Sequence, residues 1–354
     1  MASEYRNRIE GSSNGPSQYI RATRGAWKAG RGSGQWAMDD LPRAPAPPRP
    51  GFSPRNWGGW LVVGIYWFLG HLPRPVGRAL VAPLGPLLYR LMSSRRRIAE
   101  RNIALCLPEL NADERERMVK ACFGSLARML PEMAWCWAGP AQDMASICRI
   151  SEPAKQHVQA ALAEDRGVLV VTAHVTCLEV GARALGELFP GHGVYRPLNN
   201  EVIEWYQNRG RAWYASSMIS KRDIRSLVRV LRAGGFAWYA ADQDFGPQQS
   251  VFAPFFGVEA ATLLATHRLP RLTGCRVLAM LPRYLPDEGI YEIDVSPVFE
   301  DFPSDDPVAD LARVNAVLEA QVRKAPEQYW WIHRRFKTRP GGQPDIYGDD
   351  ARES

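Results

Sequence analysis

Val168-Leu-Val-Val-Thr-Ala-His174-Val-Thr-Cys-Leu-Glu179 changes its period half-way along. Val168 to Thr172 is an apolar, β-branched run entered through Gly167, which predicts a short buried strand. From Leu178 the apolar positions Ala182, Leu185 and Phe189 recur at helical spacing, so a helix follows almost at once. His174 therefore stands where a strand ends and a helix begins, and in open α/β sheets that carboxyl edge is where ligands bind.

The interval from His174 to Glu179 suggests a catalytic pair. On one helix the two would be about 140° apart around the axis and could not meet. If His174 precedes the helix and Glu179 lies in its first turn, the carboxylate can reach back to the imidazole. A carboxylate on one ring nitrogen fixes the tautomer and leaves the other nitrogen as a base. No Ser or Thr stands where a nucleophile would be expected, so the base would act on a substrate hydroxyl. The plainer alternative is a buried histidine beside a helix-terminal glutamate that favours the helix dipole. Cys177 leaves a Cys/His nucleophile open, although one helical turn gives its thiol no reason to face His174.

Elsewhere the pattern predicts helices over 113–133, 153–164, 201–215, 221–233 and 307–324. It predicts strands over 193–196, 236–241, 276–282 and 290–295. Such alternation implies an α/β fold, a largely parallel sheet flanked by helices. Three strand ends then share one edge and bring His174, Arg196 and Asp242-Gln243-Asp244 towards one cleft. Arg196 offers a planar fork for phosphate or carboxylate. The two aspartates suit hydroxyl recognition or a turn ahead of Gly246-Pro247. Around Phe252, Phe255 and Phe256 an aromatic loop could hold a hydrocarbon chain or pack in the core. Arg334 and Arg335 close the aromatic run Tyr329-Trp-Trp-Ile-His333 and are further candidates for acidic groups.

Residues 1–55 are rich in Gly, Ser, Arg and Pro and predict a disordered basic tail. Nine Arg/Lys against four Asp/Glu give this tail most of the chain's formal charge of +7. The remainder is nearly neutral, which argues against nucleic acid and favours contact of the tail with an anionic membrane. Residues 57–72 are the most apolar run, and 56–75 are expected to anchor the chain as a membrane helix, barely spanning or lying in the interface. An enzymatic domain over 76–340 and a short tail over 341–354 complete the organisation. Six scattered cysteines without a C-x-x-C pair suit a reducing compartment. Six histidines without ligand spacing make a metal site unexpected, and no Walker-type phosphate loop occurs.

Six segments carry a resemblance: 101–109 (RNIALCLPE), 172–179 (TAHVTCLE), 193–200 (GVYRPLNN), 238–247 (WYAADQDFGP), 250–256 (SVFAPFF) and 325–340 (APEQYWWIHRRFKTRP). In order and without large gaps over 56–340, they resemble the late acyltransferases of lipid A biosynthesis, the lauroyl-transferase branch of the glycerolipid acyltransferase-like proteins. The resemblance implies acyl transfer from an acyl-carrier-protein thioester to a hydroxyl of a Kdo-bearing lipid A precursor. It further implies His174 and Glu179 as the catalytic pair, no cofactor, and a site at the inner membrane facing the cytoplasm. Val175-Thr-Cys177 departs from the residues commoner between His and Glu, so acyl-chain choice stays open. Two other readings also remain: the same chemistry on a glycerol phosphate or phosphatidylinositol mannoside, and a non-catalytic membrane-surface protein.

Overall fold

The computed structural model describes residues 48–139, 144–341 and 343–348. The greater part of the basic tail, residues 1–47, lies outside them. Arg49 lies within them, its guanidinium 4.8 Å from the Trp60 ring and 5.9 Å from that of Trp205, so the chain packs against the domain a few residues earlier than composition suggests.

Among the described residues, five α-helices precede the sheet: α1 (Trp57–His71), α2 (Arg74–Val81), α3 (Leu84–Leu91), α4 (Ser93–Cys106) and α5 (Ala112–Ala138). At the start of α5, Asn111 accepts from the Glu114 N–H while Glu114 accepts from the Asn111 N–H, so two orphan donors are satisfied reciprocally. An α/β layer follows: β1 (Cys148–Ile150), α6 (Glu152–Ala163), β2 (Val168–Thr172), α7 (Leu178–Leu188), β3 (Gly191–Tyr195), α8 (Glu201–Arg211), β4 (Ala215–Ser220), α9 (Ile224–Arg232) and β5 (Phe236–Ala240). The chain ends with a hairpin, β6 (Ser250–Phe255) and β7 (Val258–Leu263), then α10 (Ala265–Thr273), β8 (Arg276–Leu285), β9 (Ile290–Val295) and α11 (Pro307–Val322).

Seven strands form one sheet in the order β1-β9-β8-β2-β5-β3-β4, and β8–β9 is its antiparallel pair. The expected largely parallel α/β sheet is therefore present. β2 lies between β8 and β5 with all five residues buried. A strand covered on both faces has no polar side to show, which is why its sequence is continuous rather than alternating.

The expected membrane helix is corrected. No helix among the described residues is long and apolar enough to cross a membrane. The 15 residues of α1 rise only about 22 Å, and Pro73 ends the run by holding Leu72 extended at ψ 147°. α1 packs instead along α5 and α8. At Gly70 a Cβ would come 2.5 Å from the Ala134 carbonyl oxygen, so glycine lets the two backbones close. The outer face keeps Trp57, Leu61, Ile65 and Phe68 more than half exposed, and it is as apolar as the face that packs.

Two elements depart from the predicted pattern. The helix predicted over 201–215 stops at Arg211, and Ala215-Ser-Ser-Met-Ile-Ser220, for which no strand was predicted, pairs with β3 as the edge strand. The 250–256 loop is half of the β6–β7 hairpin, with Phe255 and Phe256 buried. Those two aromatic rings pack in the core, and Phe252 is half-buried.

Candidate active site

β2 and β5 run parallel with Thr172 opposite Ala240. Two residues beyond this last pair stand His174 and Asp242, one on each strand's exit. The imidazole Nδ1 lies 2.5 Å from Asp242 Oδ1, and the His174 backbone N–H donates to Asp242 Oδ2 at 3.0 Å. Asp242 thus grips both the ring and the backbone of the same residue. Burial alone would push the Asp242 carboxyl up. The His174 charge and the two hydrogen bonds outweigh it and bring it down to about 2. With the His174 side chain 30% exposed, its second ring nitrogen is the one open to a substrate.

The loop that carries His174 is fixed from the far end of the chain. Val175 bridges to Tyr329, the Thr176 N–H donates to the Gln328 carbonyl at 2.8 Å, and the Trp330 N–H donates to the His174 carbonyl at 3.0 Å. Asn102 on α4 donates to the Trp331 and His333 carbonyls at 2.7 and 2.8 Å, which ties the same segment to the helical layer. His333 lies beside the pair; burial lowers its pKa to about 4, so it is neutral at pH 7. Nothing local in the sequence marks Asp242 as the partner of His174, because only strand pairing brings residues 68 positions apart together.

Glu179 does not meet His174. It sits in the first turn of α7 as predicted, but faces the opposite side. Arg211 holds it in a two-pronged ion pair at 2.8 and 2.7 Å, and it also accepts from Trp137 Nε1 at 2.7 Å and from the Tyr214 hydroxyl. Burial would raise this carboxyl; the Arg211 charge, with the Tyr214 and Trp137 donors, outweighs that and holds it below the ordinary range. Helix α8 approaches closely enough for this because Gly210 lies on Trp137, where a Cβ would come within 2.4 Å. Removing one partner of a buried pair typically costs about 3–5 kcal/mol. Glu179→Gln should therefore lower stability by about 3 kcal/mol, read by chemical denaturation at pH 7. A variant as stable as wild type would remove the anchoring role. The folded pKa is depressed, so the ionised group stabilises above the unfolded value and that stability is lost as pH falls through the folded one.

The other candidates divide. Asp244 is spent on the loop: it accepts from the Gly246 N–H at 2.9 Å, the Thr338 N–H at 2.6 Å and the Thr338 hydroxyl at 2.9 Å. Gln243, between the two aspartates, is half-buried. Arg335 is buried and donates to the Ala261 carbonyl at 2.6 Å and to the Thr262 hydroxyl, holding the β6–β7 hairpin. This use of its charge differs from the acidic-group contact expected of it; Arg334, next to it, is half-buried. Arg196 is exposed one residue past β3. Cys177 points away from His174, its thiol donating to the Pro282 carbonyl at 3.3 Å, and burial raises its pKa. A buried, protonated thiol aimed elsewhere is no nucleophile for this site.

An imidazole held at one nitrogen by a carboxylate can serve as a base through the other, and comparison with known proteins gives this arrangement a context. The chain is 40% identical to the lipid A biosynthesis lauroyltransferase of Escherichia coli (strain K12), over 83% of this chain and 96% of that protein. It is 37% identical to the palmitoleoyltransferase of the same pathway and organism, over 83% and 95%. A lipid A biosynthesis acyltransferase of Haemophilus influenzae is 33% identical over 83% and 95%. The family model described as bacterial lipid A biosynthesis acyltransferase matches residues 52–338, which takes in α1, the whole sheet and the His174–Asp242 pair. The chain belongs to the bacterial lipid A biosynthesis acyltransferase family and is an acyltransferase.

Proposed function

We propose that this acyltransferase moves a fatty acyl group from an acyl-carrier-protein thioester to a hydroxyl of a Kdo-bearing lipid A precursor, with His174 as general base. The observation that carries the mechanism is the 2.5 Å contact of His174 Nδ1 with Asp242. An ionised Asp242 accepts a hydrogen bond from Nδ1–H, which keeps the ring proton on Nδ1, so Nε2 presents its lone pair. That lone pair takes the acceptor's hydroxyl proton as the oxygen attacks the thioester carbonyl. The new ester C–O bond forms, the C–S bond breaks, and the proton passes from Nε2 to the departing thiolate. In this reading Asp242 has the orienting role that the spacing gave to Glu179, and Glu179 secures the helix behind the His174 loop. Nothing in the balance calls for a cofactor.

The same reading puts the enzyme on the inner membrane with its site towards the cytoplasm, where a carrier-protein donor is found. The apolar outer face of α1, continued by exposed Val76, Leu80, Leu87 and Leu91, supports a surface that rests on the bilayer without crossing it.

Purified enzyme in detergent should transfer label from a panel of acyl-carrier-protein thioesters to a Kdo-bearing lipid A precursor, and not to glycerol 3-phosphate. Preference for glycerol phosphate would overturn the acceptor assignment, and equal use of a coenzyme A thioester would overturn the donor.

A further inference from the structure

We propose that His333 is a second catalytic imidazole, a neutral N–H donor that binds the oxyanion formed when the acceptor oxygen adds to the thioester carbonyl. This deepens the acyl-transfer reading above and rests on it. His174 and Asp242 handle the proton of the attacking hydroxyl. They leave unassigned the negative charge that appears on the carbonyl oxygen, and a fixed donor aimed at that oxygen is usually the largest single contribution to acyl transfer.

The backbone puts His333 beside the base. The Trp330 N–H donates to the His174 carbonyl at 3.0 Å, and the His333 N–H donates to the Trp330 carbonyl at 3.1 Å. Two hydrogen bonds therefore link one histidine to the other. The His333 carbonyl is held from two sides, by Asn102 Nδ2 at 2.8 Å and by the Arg335 N–H at 2.9 Å. Its ring reaches the loop that leaves β5, where the Asp244 N–H donates to Nε2 at 3.5 Å.

That bond decides which nitrogen carries the proton. A neutral imidazole has one N–H and one lone pair. The Asp244 N–H takes the lone pair of Nε2, so the proton stands on Nδ1. Among the described residues nothing accepts from Nδ1, and it is not among the buried polar atoms without a partner. The half-buried ring thus leaves one N–H open to the cleft next to His174.

Burial, with the charges of His174 and Arg335, lowers the His333 pKa to about 4 against the opposing pull of Asp242 and Asp244. Neutrality matters at the moment of reaction. Once His174 has taken the hydroxyl proton it is an imidazolium, and a second charged imidazole beside it would oppose that transfer. A neutral ring donates without the repulsion. Other donors near the base are engaged: the His174 N–H by Asp242, the Thr176 N–H by the Gln328 carbonyl, and the Arg335 guanidinium by the Ala261 carbonyl and the Thr262 hydroxyl.

The step balances without a further reactant. The acceptor oxygen bonds to the carbonyl carbon as His174 Nε2 takes the hydroxyl proton. The C=O π pair moves onto oxygen, where His333 Nδ1–H donates a hydrogen bond and keeps its proton. The pair returns as the C–S bond breaks, and the thiolate takes the proton from His174.

The test compares His333→Leu with His333→Asn in the full chain in detergent. The two side chains have nearly the same shape and both lose the Asp244 bond, but Asn can place an N–H where Nδ1–H stands. Single turnover is followed with an acyl-carrier-protein thioester and a Kdo-bearing lipid A precursor. If wild type prefers a coenzyme A thioester or glycerol 3-phosphate, that pair is used, so the substrate assignment can fail while this comparison still decides. His333→Leu should lower kcat about 10²- to 10³-fold, and His333→Asn should recover about ten-fold or more of it. Both should bind a donor analogue with a methylene in place of the thioester carbonyl as wild type does, because no oxyanion forms on it. Equal defects in the two variants would assign His333 a structural role and overturn the proposal. A His333→Leu kcat within about three-fold of wild type, or analogue binding weakened in step with kcat, would overturn it as well. Thermal melts accompany both variants, and if His333→Leu does not fold, His333→Ala takes its place.

Discussion

Asp242→Asn should lower kcat by about 10⁴-fold while leaving the fold intact. The size follows from the two bonds that Asp242 makes to one residue. The His174 N–H donates to Oδ2 at 3.0 Å, and in the variant the amide oxygen must take that place, because an NH₂ there would face another donor. The amide nitrogen is then turned towards His174 Nδ1, which lies 2.5 Å from the other oxygen in the native enzyme. An NH₂ facing Nδ1 forces that nitrogen to accept, so the ring proton moves to Nε2 and the base is lost. The measurement is single-turnover acyl transfer at saturating donor, alongside a thermal melt. A kcat within ten-fold of wild type would falsify the orienting role. Glu179→Gln provides the contrast, since its carboxylate is bonded to Arg211, Trp137 and Tyr214: its loss belongs mainly in stability. If instead the Glu179 variant were the catalytically dead one and the Asp242 variant active, the pairing read from spacing would be right and the geometry misleading.

His174→Ala should remove about 10²- to 10⁴-fold of kcat, the usual worth of general-base catalysis. Little packing goes with it, since the ring is partly exposed. The variant leaves Asp242 buried without its imidazole partner, so a modest fall in melting temperature should accompany the kinetic loss. In wild type the Asp242 carboxyl is held down to about 2, so it faces the imidazole as an ionised acceptor near neutral pH. Turnover by His174→Ala close to wild type would sink the base assignment.

What the sequence by itself determined was local in origin or carried by motif. The buried run Val168–Thr172 and the helical period after it set β2, α7 and the loop between them, because a central parallel strand has no solvent side and cannot alternate. The alternation of strand and helix then implied that β2, β3 and β5 end on one edge, which placed His174, Arg196 and Asp242 near one another in advance. The quoted segments already pointed to the acyltransferase family. Tertiary structure decided the rest. Spacing alone could not tell whether Glu179 turns back to His174 or outwards to Arg211; that choice depends on α8 closing over Gly210 onto Trp137. Nor could it rank Asp242 above Glu179 as partner, since hydrogen-bonded register joins residues that the chain separates. The edge strand Ala215–Ser220 was hidden because small polar residues at an edge have little apolar signal of their own and gain strand conformation from β3. The apolar run at 57–71 reads alike whether it crosses a bilayer or covers a domain. Only its length, Pro73 and a close seam with α5 at Gly70 show that one face packs on protein and the other does not.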